Sequence, residues 1–148
     1  MVLLEQICSR FHLVARQLRS RHDGRPTIDV TDEYDVQDLM HALLWLHFVD
    51  VRPEEYTPSY AGKASRMDFL LKRESIVVEL KMTRPGLAAK ELSSQLIEDI
   101  ERYKAHPDCQ ALLCFVYDPA GLIPNPRGIE ADLNRDREPF PVRVLIRP

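Results

Sequence analysis

At 148 residues, 45% apolar and 29% charged, the chain has the size and composition of one globular domain with room for a proper core. Its net charge of −3 excludes a uniformly basic surface, so any polyanionic partner must be met by a local patch. No stretch approaches the length of a membrane span, and Arg10, Arg16 and Arg19 interrupt the apolar residues after Met1, so neither a membrane segment nor a signal pattern is expected and the location read is cytoplasmic. Cys8, Cys109 and Cys114 are odd in number and lack a metal-site spacing; they read as reduced thiols, with Cys114 in the core.

Apolar residues at spacings of three and four, Leu4, Ile7, Phe11, Val14 and Leu18, predict an amphipathic helix over residues 2–21. Gly24 and Pro26 end it, and residues 1–26 are set apart from a main domain at 27–148. After a short extended stretch at 27–30, Thr31 or Asp32 caps a second helix, with Glu33 and Asp35 in its first turn and Val36, Leu39, Met40, Leu43, Leu44 and His47 as its buried stripe. Asp38 lies beyond that first turn and beside the stripe, where it serves either as a surface acid or as a third carboxylate near the strands. Residues 51–57 read as an edge strand because of Pro53. A Gly-containing loop at 60–64 holds Lys63, with Ser65 and Arg66 beside it, groups suited to phosphate contacts. Strands at 66–71 and 76–81 are joined by a polar turn at 72–75. Residues 87–106 form a helix whose inner face is Leu92, Leu96, Ile100 and Tyr103, with Gln95, Asp99 and Arg102 at its edge and Gln95 within reach of the strand ends. A buried strand at 111–117, a short helix within 125–135 and a strand at 142–146 complete an α/β domain with a mixed sheet.

Charge is uneven along this order. Residues 31–60 carry seven acids and one Arg, whereas residues 61–90 carry seven Lys or Arg and three acids. The basic part, which includes Arg66 and Arg84, holds the most telling motif: Asp68, then Glu79-Leu80-Lys81 at the end of an apolar run. Side chains alternate along a strand, so Glu79 and Lys81 share one side with Val77. An acid and an ammonium are unusual on a core-facing side unless something polar or ionic sits with them. Asp68 and Glu79 offer oxygen ligands to a hard cation such as Mg²⁺, with Mn²⁺ as a substitute, and such a cation activates water and neutralises a phosphate. Two carboxylates near Lys81 favour its charged form, which suits a group that positions water and stabilises the transition state rather than a general base.

With Asp68 and Glu79-Leu80-Lys81 on the second and third strands, the chain resembles the PD-(D/E)XK nuclease superfamily, and within it the DpnII/MboI-type restriction endonuclease domain. The matching text includes Asp32-Glu33-Tyr34-Asp35-Val36-Gln37-Asp38-Leu39, Pro58-Ser59-Tyr60-Ala61-Gly62, Arg66-Met67-Asp68-Phe69-Leu70-Leu71, Tyr103-Lys104-Ala105-His106-Pro107 and Cys114-Phe115-Val116-Tyr117-Asp118-Pro119. Met67, not proline, precedes Asp68. The resemblance implies a restriction-endonuclease-like mixed β-sheet flanked by helices, an αβββαβ core with an extra N-terminal helix. It further implies Asp68 and Glu79 as metal ligands, Lys81 as the catalytic lysine, and Asp38 or Asp35 as an added ligand or water-holder. The expected activity is Mg²⁺-dependent DNA endonuclease chemistry in restriction or anti-phage defence, carried out by a homodimer. Two alternatives stay open: a catalytically silent nuclease-fold scaffold subunit, and an effector active only with a defence-system partner protein.

Overall fold

The computed structural model describes residues 1–54, 66–87, 89–136 and 139–148. Its elements are α1 (Val2–Arg19), α2 (Glu33–Leu44), β1 (Val51–Pro53), β2 (Phe69–Leu71), β3 (Ile76–Met82), α3 (Ala89–Lys104), β4 (Ala111–Tyr117), α4 (Pro126–Leu133) and β5 (Val142–Arg147). The five strands form one sheet in sequence order; β1, β2 and β3 pair antiparallel, while β3, β4 and β5 pair parallel. The antiparallel half is closed by the tight turn at 72–75, where Ser75 takes a positive φ of 54°; the parallel half needs helical crossovers, which α3 and α4 supply.

Two apolar layers sandwich this sheet. On one side Leu4, Cys8, Phe11 and Ala15 of α1 and Val36, Leu39, Met40 and Leu44 of α2 pack on Phe69, Leu71, Val78, Leu80, Leu113 and Phe115. On the other, Leu92, Leu96, Ile100 and Tyr103 of α3, with Leu133 of α4, pack on Leu70, Val77, Leu112, Cys114, Val116 and Val144. The period-two alternation in β3 and β4 is what sends neighbouring residues to opposite layers. The N-terminal helix thus shares its core with α2 and the sheet.

Several boundaries differ from those read in the sequence. The strand expected at 66–71 is confined to Phe69–Leu71; of the one expected at 51–57, Val51–Pro53 is strand and Glu54 turns with φ of 53°, and residues 55–65 lie outside the described residues. The stretch at 27–30 forms no strand. His47, expected in the buried stripe of α2, is exposed, because the helix stops at Leu44 and its 3.6-residue period no longer applies. All three cysteines are buried and free, and burial pushes the Cys8 and Cys109 thiols up to about 12.

Candidate active site

The site gathers where β2, β3, α2 and α3 meet. Asp68 stands one residue before β2, and extending the β2–β3 register, in which Phe69 faces Val78, sets it opposite Glu79. Its carboxylate takes over from the ladder: the Leu80 N–H donates to Asp68 Oδ2 at 2.7 Å, and Gln37 Nε2 on α2 donates to Oδ1 at 2.8 Å. Glu79, 8% exposed, accepts a 2.6 Å hydrogen bond from the Tyr103 hydroxyl on α3. Lys81 follows on the same face of β3, its Nζ 3.5 Å from Glu79 Oε1 and 2.7 Å from Asp99 Oδ2.

Burial dominates the electrostatics. It pushes the Asp68 carboxyl up to about 6, with the Leu80 N–H opposing and the charge of Glu33 adding to the rise. Glu79 is pushed up to about 8, first by burial and then by the nearby charges of Asp68 and Asp99, against Lys81 and Tyr103. For Lys81 burial acts to lower the value, but Glu79 and Asp99 outweigh it and hold the ammonium above its ordinary range. Tyr103 is raised by burial and by Glu79, which keeps its hydroxyl a donor. By themselves these residues are two acids, Asp68 and Glu79, costly to ionise, beside one firmly charged lysine.

Beyond Lys81 the site opens into a cleft of about 400 Å³ whose walls include Thr31, Glu33, Tyr34, Arg84 and Gln95. Arg84 is exposed there and forms no ion pair among the described residues. Gln95 lines the cleft, with its Nε2 donating to Glu91 Oε1 at 3.3 Å. Arg66 pairs with Glu54 at 3.0 Å. Lys63 and Ser65 lie outside the described residues.

The acids of α2 separate by helical row. Asp35 closes a capping box with Asp32, and its Oδ2 accepts from Thr31 N, Thr31 Oγ1 and Asp32 N, which holds its carboxyl below the usual range. Asp38 is exposed and makes no hydrogen bond or ion pair among the described residues. Glu33 and Gln37, one turn apart, form the row that reaches the strands: Gln37 to Asp68, and Glu33 Oε2 accepting from Met82 N at 3.2 Å.

Asp99 corrects the sequence reading most clearly. Its expected pairing with Arg102 exists at 2.9 Å, but Asp99 is no edge residue; it is 4% exposed and faces Lys81. A signal was available, since residues 92, 96, 99 and 103 fall at spacings of four, three and four, so Asp99 is an acid inside the apolar stripe. Lys81 Nζ lies 2.7 Å from Asp99 Oδ2, and this ion pair holds the buried oxygen inside the site. Among those residues no three His, Cys, Asp or Glu side chains are disposed to hold a metal by themselves.

The model of the REase_DpnII-MboI family of restriction endonucleases matches residues 2–148, including the N-terminal helix. No curated protein and no solved structure matches the chain.

Proposed function

Since the chain belongs to the DpnII-MboI restriction endonuclease family, we propose that it is a Mg²⁺-dependent DNA endonuclease acting in restriction or anti-phage defence, with Asp68, Glu79 and Lys81 as its catalytic residues. The observation that carries this reading is the convergence of the half-buried Asp68, the buried Glu79 and the firmly charged Lys81 beside a cleft lined by Lys81 and Arg84.

The donor set suits the cation. Mg²⁺ takes one or two protein carboxylates and keeps its waters, so Asp68 and Glu79 suffice without a complete cage. Each Asp68 oxygen accepts one hydrogen bond, which leaves lone pairs for a ligand, and a divalent charge offsets the cost of ionising both acids. When bound, the cation supplies an activated water and neutralises charge on the scissile phosphate, and Mn²⁺ can substitute. Gln37 and the Leu80 N–H orient Asp68; Tyr103 orients Glu79. The Lys81 ammonium, already committed to its proton, donates to the attacking water or to a phosphate oxygen. As the supporting α2 carboxylate we assign Glu33 rather than Asp38 or Asp35, because its charge bears on both Asp68 and Lys81. Arg84, with Lys63, Ser65 and Arg66, contacts the DNA backbone, and Gln95 supports the site from the cleft wall. The working assembly is a homodimer whose two sites address the two strands. No helix among the described residues is long and apolar enough to cross a membrane, and the proposed location is cytoplasmic.

The test is incubation of supercoiled and linear DNA with the pure chain, with and without Mg²⁺ or Mn²⁺. Cleavage that needs the cation and disappears in Glu79→Ala supports the reading. Cation-independent cleavage, or equal cleavage by Glu79→Ala, overturns it.

A further inference from the structure

Resting on the cation reading above, we infer that Asp99 is a positioning residue: it anchors the Lys81 ammonium away from Glu79, so that the protein's own cation does not occupy the carboxylates meant for the divalent one. Lys81 extends from β3 between two acids. It is 2.7 Å from Asp99 and donates a longer, 3.5 Å hydrogen bond to Glu79, so the nearer partner is the acid on the helix, and the one sharing its strand is held at the limit of contact. An ammonium on a flexible four-carbon stem is a compact point charge, and in a buried site it competes directly with a metal for carboxylate oxygens. Water offers little alternative, since the side chains of Lys81, Glu79 and Asp99 are 16%, 10% and 6% exposed.

Asp99 is built to resist that collapse. The α3 backbone that carries it is locked by the buried Leu92, Leu96, Ile100 and Tyr103. Its Oδ1 is fixed by Arg102 at 2.9 Å, which leaves Oδ2 aimed at Lys81. A surface ion pair contributes little and has no directional consequence, but this one lies inside the site and decides which carboxylate the lysine leans on. With Asp99 replaced by asparagine, Glu79 is the acid left within 4 Å of Nζ among the described residues.

The experiment is calorimetric titration of Mn²⁺ into the full chain, as parent, Asp99→Asn, Lys81→Met and the double variant. Asp99→Asn is expected to weaken Mn²⁺ binding about 10-fold or more, the range for residues that orient a metal ligand set. In the Lys81→Met background the same substitution is expected to change affinity by no more than about 3-fold, because no ammonium remains to collapse. Equal weakening with and without Lys81, or an Asp99→Asn variant that binds like the parent, overturns the inference and leaves the cation reading intact. A parent that takes up no Mn²⁺ overturns both. If Asp99→Asn does not fold, the parent alone answers: the Lys81 ammonium resonance should stay visible and slow to exchange when Mg²⁺ is added, and its loss to solvent exchange overturns the inference.

Discussion

Replacing Glu79 by Gln in the metal-free protein is expected to stabilise it, and increasingly so as pH rises. Glu79 is held near 8 in the fold against an ordinary 4.5, first by burial and then by Asp68 and Asp99. Between those values the folded chain keeps a proton that the unfolded chain has released. Stability therefore falls with rising pH, by up to about 1.4 kcal/mol per pH unit, and levels off above pH 8. The whole interval corresponds to at most about 5 kcal/mol. Glutamine has nearly the same shape, its Oε1 still accepts from Tyr103, and it never ionises; losing the 3.5 Å contact with Lys81 subtracts about 1 kcal/mol. A net gain of about 2–4 kcal/mol at pH 8, shrinking toward zero near pH 4.5, should appear as a midpoint rise of roughly 6–12 °C for a chain of this size. Thermal or urea unfolding in EDTA from pH 5 to 9 measures it. Adding Mg²⁺ should raise the parent's midpoint at pH 8 more than the variant's, since ligand binding to the fold adds to stability. A Gln variant less stable than the parent at pH 8, or a parent whose stability climbs between pH 5 and 8, would refute the reasoning.

Three further outcomes are expected. Tyr103→Phe removes the 2.6 Å donor that favours ionised Glu79, so the acidic limb of the cleavage pH profile should move up by about one pH unit; an unmoved limb would separate Tyr103 from the chemistry. Arg84→Ala should weaken DNA binding evenly across sequences and reduce the slope of log affinity against log salt by about 0.9, readable by fluorescence anisotropy at several salt concentrations. Asp118→Ala should cost about 3 kcal/mol in urea unfolding, because the buried carboxylate accepts from Thr83 Oγ1, Leu122 N and Ile123 N at 2.7, 2.8 and 3.1 Å, and its removal leaves the two backbone donors unpaired and Thr83 with only its longer 3.4 Å bond to the Tyr117 carbonyl; a loss below 1 kcal/mol would count against that role.

Much of the molecule was legible in the chain itself. Alternation in Ile76–Met82 put Glu79 and Lys81 on one face, and the polar turn at 72–75 brought Asp68 opposite them, because strand period and hairpin register are local properties. The stripes of α1, α2 and α3 and the buried β4 were equally local, as was Asp35 as a cap. What the residues alone did not decide was which helical row meets the strands. Asp38 and Glu33 are both acids on α2, and periodicity by itself assigns neither to the cluster. The rotation of that helix, set by packing Val36, Met40 and Leu44 on the sheet, sends Glu33 and Gln37 toward β3 and Asp38 to solvent. Asp99 follows the same logic. Its place in a buried stripe is readable at 100° per residue, but that the stripe crosses β3 at Lys81 depends on how α3 returns to lie over the parallel strands, a long-range packing outcome that no short window of sequence contains.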